Sequence, residues 1–126
     1  MRVIIVDDAL LIRLQLKKFF EEEMQFEVVG LGTDGNEAVQ LFKKKRPHII
    51  VIDLAMPNKT GYEALREIMT IDENAKVIIC SAIKDPTMLT FALNCGARSF
   101  IKKPLEFNNP NYMRELKNDI QETLEA

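Results

Sequence analysis

Three short apolar runs in this chain each stop on charge. Val3-Ile4-Ile5-Val6 runs into Asp7-Asp8, Ile49-Ile50-Val51-Ile52 into Asp53, and Phe100-Ile101 into Lys102-Lys103-Pro104. Four-residue Val/Ile runs read as strands buried on both faces, the signature of a parallel sheet covered by helices. Parallel strands carry their C-terminal ends to one edge. Three carboxylates and a lysine are therefore expected to share one crevice.

The stretches between these runs fit the same arrangement. Strand signals fall at about 2–7, 26–31, 48–53, 76–81 and 98–102. Apolar residues at helical spacing lie between them: Ile12, Leu16, Phe19 and Phe20; Ala38, Leu41 and Phe42; Leu65, Ile68 and Met69; Met88, Phe91, Ala92 and Cys95; Met113, Leu116, Ile120 and Leu124. These stripes are expected to be core. Asp34 with Glu37 and Thr60 with Glu63 read as capping boxes. Asp85-Pro86 reads as a helix start, and Gly96 as a helix end. Five strand–helix units in succession predict one α/β domain over residues 1–126, with helices on both faces of a parallel sheet.

Composition removes several alternatives. Seventeen basic against nineteen acidic residues give a net charge of −2, which argues against direct nucleic-acid binding. No apolar run approaches the roughly 18–20 residues of a membrane span, so no membrane insertion is expected. The two cysteines, Cys80 and Cys95, form no disulfide framework and read as buried small hydrophobes of a reducing cytoplasm.

In a doubly wound sheet, ligands bind beyond the C-terminal ends of the strands, where Asp7, Asp8 and Asp53 fall. Two carboxylates ~4 Å apart repel by about 1 kcal/mol in water and about 4 kcal/mol at an effective dielectric of 20. A cation among them offsets that cost. Oxygen ligands without histidine or cysteine select a hard divalent ion, Mg²⁺ or Mn²⁺. The alternative is a solvated acidic loop, which Asp53 at the equivalent end of a second strand weighs against. Lys103 and Ser81, ending two further runs, supply a cation and a hydroxyl. Metal, lysine, hydroxyl and carboxylate together are parts for handling phosphoryl charge.

With these residues in view, the chain resembles the response-regulator receiver domain over essentially its whole length. The matching motifs are Asp7-Asp8, Asp53 with Met56-Pro57 and Gly61, Ser81-Ala82, and Lys103-Pro104. The short length resembles the stand-alone, chemotaxis-type members. The resemblance implies a flavodoxin-like (βα)5 fold with strand order 2-1-3-4-5. It implies that Asp53 accepts a phosphoryl group from a phosphohistidine on a sensor histidine kinase. Asp8, Asp53 and the Ala55 backbone carbonyl would bind Mg²⁺, with Asp7 helping through water. Lys103 and Ser81 would hold phosphoryl oxygens, Ala82 would leave room for the donor, and Phe100 would turn inward as a switch. A downstream protein would read the face formed by the fourth helix, fifth strand and last helix. The protein would act as a monomer or a phosphorylation-linked dimer.

Some positions depart from that family. Ala55 and Ile83 are apolar where many relatives carry polar groups that position water, which leads to an expectation of slow self-dephosphorylation. Leu105 to Asn111 is longer than usual, and Asn108-Asn109-Pro110-Asn111 reads as a turn.

Three rival readings remain. Gly30-Leu31-Gly32-Thr33-Asp34-Gly35 matches the dinucleotide fingerprint G-x-G-x-x-G. A complete strand–helix unit precedes it, however, and it leaves Asp7, Asp8, Ser81 and Lys103 without a task. An aspartate-nucleophile phosphatase of the haloacid dehalogenase type needs a second Asp two residues after the nucleophile, where Ala55 stands. A receiver module excised from a longer DNA-binding regulator keeps the site and changes the output. The polar helix at 121–126, with no linker composition after it, favours a complete protein. His48, beside Pro47, lacks the helical acidic context of a kinase phosphohistidine.

Overall fold

The computed structural model describes residues 1–82 and 86–126. Five strands form one parallel sheet: β1 (Arg2–Val6), β2 (Glu27–Gly32), β3 (Ile49–Ile52), β4 (Val77–Ser81) and β5 (Ser99–Lys102), in the order β2-β1-β3-β4-β5. This is the expected order, and each boundary falls within a residue or so of the expected one.

Alternate residues along a strand face opposite ways, and the two faces have separate cores. Ile4, Val6, Ile50, Ile52, Val77 and Ile79 pack against α2 (Gly35–Lys45) and α3 (Gly61–Ile71) through Ala38, Phe42, Leu65 and Ile68. Val3, Ile5, Ile49, Val51, Ile78, Cys80 and Ile101 pack against α1 (Leu10–Lys18), the turn that follows it and α5 (Pro110–Glu125) through Leu16, Phe19, Leu116 and Ile120. Burial of such side chains is worth about 1.5–3 kcal/mol each, so the Val/Ile runs hold the sheet between its helix layers. β5 differs. It is an edge strand in which Ile101 is buried while Phe100 is 42% exposed.

Several local features correct the sequence reading. The first helix continues past Lys18 as a π-helical turn, Phe19–Glu23, that seats Phe19 and Phe20 in the core. The stripe on α4 (Pro86–Asn94) is only partly core. Ala92 is buried, but Met88 is 37% and Phe91 51% exposed. Tyr62 of α3 holds this edge instead, donating to the Met88 carbonyl (2.8 Å) and meeting Phe91 edge-on at 5.5 Å. Cys95 is half-buried rather than buried.

The capping residues divide similarly. Thr60 and Glu63 form the full reciprocal box. Asp34 caps the Glu37 N–H, but Glu37 reaches back to the Thr33 N–H and hydroxyl rather than to Asp34 itself. The Asn108–Asn111 segment is half helix start. Asn109 caps the amides of Asn111 and Tyr112, and Pro110 opens α5. Gly96 takes φ +116 just after α4, as a helix-ending glycine should. Asp85 and Ile83 lie outside the described residues, so neither the helix start read at Asp85-Pro86 nor the departure at Ile83 has a structural counterpart here.

Candidate functional site

Strand register brings the charged ends together. Val6 pairs with Ile52, so Asp7 and Asp53, each one residue further on, sit side by side. Ile52 pairs with Ile79, and Ser81 pairs with Lys102, which carries Lys103 to the same edge. Backbone hydrogen bonds extend the ladder past the strands: Asp53 N–H donates to the Val6 carbonyl and Lys103 N–H to the Ser81 carbonyl, both at 3.0 Å.

The side chains converge as the spacing predicted. Asp7, Asp8 and Asp53 each offer a carboxylate oxygen, and these oxygens lie within 4.8 Å of one another. Asp7 is 1% exposed and Asp53 6%, whereas Asp8 is exposed. Lys103 Nζ lies 2.7 Å from Asp7 Oδ2 and 3.4 Å from Asp53 Oδ2. Asp7 uses its other oxygen to accept from the Ala9 N–H at 2.9 Å, which fixes its rotamer. The Ala55 N–H approaches Asp53 Oδ1 at 3.4 Å.

Electrostatics follow from this crowding. Burial pushes the Asp53 carboxyl above its ordinary value; Lys103 opposes the shift and the Asp7 carboxylate adds to it. Burial alone pulls the Lys103 ammonium down, but its bond to Asp7 and the field of Asp53 leave it above the ordinary lysine value. Among the described residues, Lys103 is the cation within ion-pair distance of this cluster of three carboxylates. A hard divalent ion fits such an all-oxygen donor set.

Ser81 is buried at the end of β4, and Ala82 after it is exposed. Phe100 stands on the edge strand facing outward, so it is neither core nor turned inward here. Cys80 is buried beside the site, and burial pushes its thiol up to about 12, consistent with an inert core residue.

Two supports had no signal in the sequence. Arg13, one turn into α1, donates to the Asp7 carbonyl at 2.7 Å. Tyr112 of α5 donates to the Lys102 carbonyl at 2.9 Å, next to Lys103. The first bond depends on how the β1–α1 loop turns and the second on how α5 packs against β5.

The glycine motif has a packing explanation. A Cβ on Gly30 would stand 3.0 Å from Leu41 Cδ2, and one on Gly35 only 2.6 Å from the Lys59 carbonyl oxygen. These glycines admit α2 and the β3–α3 loop to close range, and Asp34 caps the helix with its own carboxylate. The helix start therefore presents a negative group where a dinucleotide site would receive a phosphate.

A family model for the response regulator receiver domain matches residues 3–112. The chain belongs to that family. It is 44% identical over 105 residues to the chemotaxis protein CheY of Thermotoga maritima, covering 83% of this chain and 87% of that protein. It is 42% identical, over the same shares, to protein CcdB of Bacillus subtilis. Among solved structures, CheY in the CheX-CheY-BeF3-Mg complex of Borrelia burgdorferi superposes with a TM-score of 0.87. The two chains are 31% identical, with coverage of 97% of this chain and 87% of that one. The response regulator domain of Thermotoga maritima CheB superposes with a TM-score of 0.86 at 32% identity, covering 100% and 97%. This receiver domain is thus a CheY homologue of two-component signalling. Receiver domains generally bind Mg²⁺, and the Asp7-Asp8-Asp53 cluster is where this chain gathers acidic oxygens.

Proposed function

We propose that the protein accepts a phosphoryl group on Asp53 from a phosphohistidine of a sensor histidine kinase. The observation that carries this reading is the position of Asp53. Its carboxylate stands among Asp7, Asp8 and Lys103, with the Lys103 ammonium 3.4 Å away. A carboxylate oxygen of Asp53 attacks phosphorus, the bond from phosphorus to the donor imidazole breaks, and the departing ring nitrogen takes up a proton.

Asp8, Asp53 and the Ala55 carbonyl are the groups to hold Mg²⁺ (Mn²⁺ is an alternative), with Asp7 acting through water. An ion held there would supply positive charge to offset that of the phosphoryl oxygens. Lys103 supplies the second countercharge and Ser81 a hydroxyl. Ala82, small and exposed, leaves the donor a path.

The new phosphoryl charge, about −1.5 to −2 by analogy with other phosphorylated side chains, biases whichever arrangement of Ser81 and Lys103 pairs it better. Phe100, exposed on β5, turns inward as the β4 end moves. The α4-β5-α5 face then presents a changed surface to a downstream protein. Residues 1–126 act as one domain, in the cytoplasm, as a monomer or phosphorylation-linked dimer. The role is signalling rather than turnover of a substrate, and Ala55 suits a long-lived phosphoryl group.

Incubation with Mg²⁺ and acetyl phosphate tests the reading, with intact mass as the readout. One added phosphoryl group is expected, and it is absent in Asp53→Asn and in chelator. Wild-type protein that gains nothing overturns the proposal.

A further inference from the structure

The loop between β3 and α3 leaves from Asp53 and carries Ala55. Its neck is closed by the Gly61 N–H donating to the Leu54 carbonyl at 3.0 Å. Its tip rests on a different element, the start of α2. The Asn58 side-chain amide donates to Asp34 Oδ2 at 3.1 Å, and the Lys59 carbonyl accepts from the Gly35 N–H at 2.9 Å.

Both partners are shaped for this contact. Asn58 has φ +61, a left-handed conformation that Asn tolerates better than most residues. Gly35 is the residue whose Cβ would collide with Lys59. Asp34 divides its two oxygens: Oδ1 caps the Glu37 N–H at 2.9 Å and Oδ2 takes Asn58. A helix cap alone needs only the first of these bonds.

We propose that Asp34 and Asn58 are positioning residues for the metal side of the site, holding the β3–α3 loop so that the Ala55 backbone stays in place beside Asp53. This rests on the reading that Ala55 contributes to a Mg²⁺ site, although the latch itself can be measured without metal. The start of α2 becomes a buttress of the site, and disturbing it changes Mg²⁺ affinity from a distance.

A swap of partners tests the idea. Asn58→Asp places a second carboxylate against Asp34. Adding Asp34→Asn restores an amide-to-carboxylate bond of reversed direction, and asparagine caps helices as well as aspartate does. Amide exchange of Gly35 and Gly61, whose N–H groups close the latch and the loop neck, is followed by NMR in metal-free protein, and Mg²⁺ affinity from shifts of the Asp53 and Ala55 amides. Asn58→Asp is expected to speed exchange and weaken Mg²⁺ binding, each by about tenfold, the scale of one lost hydrogen bond. The double variant is expected to recover both. Wild-type exchange and affinity in Asn58→Asp, faster exchange with unchanged affinity, or a swap that recovers neither would each overturn the inference alone. Wild-type protein that does not respond to Mg²⁺ overturns the phosphoacceptor reading, and this inference with it.

Discussion

Lys103 is anchored on Asp7 rather than on Asp53: its Nζ lies 2.7 Å from Asp7 Oδ2 but 3.4 Å from Asp53 Oδ2. The most buried carboxylate of the cluster thus takes the shorter ion pair. The oxygens of Asp53 stay less committed, which suits a group that must bond to something else. Two carboxylates share one ammonium, so the lysine matters to stability as well as to chemistry.

Removing that ammonium should therefore be costly. Lys103→Met keeps much of the stem and leaves Asp7 and Asp53 facing each other without a cation. Breaking a buried pair costs about 3–5 kcal/mol; with Lys103 15% exposed, about 2–3 kcal/mol is expected at pH 7 without metal. Lys103 lowers the folded-state value of Asp53, so its contribution is present where Asp53 is ionised and lost as pH falls through that value. Urea unfolding of both proteins from pH 7 to pH 3 should show the gap closing in acid.

Asp53→Asn should act the other way. Burial raises the Asp53 carboxyl above its ordinary value, so between the unfolded and folded values the native protein binds more protons than the unfolded chain. Stability then falls as pH rises through that window, and ionised Asp53 is a cost at neutral pH. The neutral amide should raise the metal-free Tm at pH 7 by about 4 °C, the shift about 1 kcal/mol makes in a domain of this size. The gain should shrink as pH drops toward the ordinary carboxyl value. Thermal scans in EDTA at pH 7 and pH 4 check both parts.

The legible and illegible features of this site separate by interaction range. Asp7, Asp53, Ser81 and Lys103 each sit directly beyond or at the end of an apolar strand, so continuous apolar runs and parallel topology sufficed to bring them together. Phe91 was misread because periodicity reports which residues share a helix face, not how much neighbouring structure covers that face. α4 sends Ala92 into the core and meets Tyr62, while Met88 and Phe91 stay largely exposed. Asn109-Pro110 was misread because a turn and a capped helix start use the same residues. Tyr112 and the Asn58–Asp34 bond had no local signal, since each joins segments that meet through tertiary packing, whereas Arg13 lies six residues from Asp7 and its contact depends on how the β1–α1 loop turns.

Metal binding should depend on Asp8 with little effect on the bare fold. Asp8 is exposed while its carboxylate belongs to the cluster, so Asp8→Ala removes a ligand and a repulsion together. Wild-type protein should gain about 2.7 kcal/mol of stability at a Mg²⁺ concentration one hundred times the dissociation constant, reversed by EDTA. Asp8→Ala should match or slightly exceed the wild-type Tm without metal, and lose that gain. An equal Mg²⁺ response in both proteins would remove Asp8 from the site.

Gly61 places the first turn of α3 directly against the strand end that carries Asp53. A Cβ at that position would stand 2.1 Å from the Asp53 carbonyl oxygen and 2.6 Å from Leu54 Cα, both backbone atoms that cannot swing away. Alanine ordinarily improves a helix by about 1 kcal/mol over glycine. Here that gain is overwhelmed, because either α3 must lift from the sheet or the Asp53 backbone must shift. Gly61→Ala should lose about 3 kcal/mol net, the upper end of ordinary overpacking costs, read as a lower urea midpoint with unchanged m-value. It should also slow labelling by acetyl phosphate at a temperature where the variant is fully folded, since the displaced backbone belongs to the acceptor. A folded variant labelled at the wild-type rate would mean that α3 yields and Asp53 does not, which would place the rigidity of the site in the sheet rather than in the helix behind it.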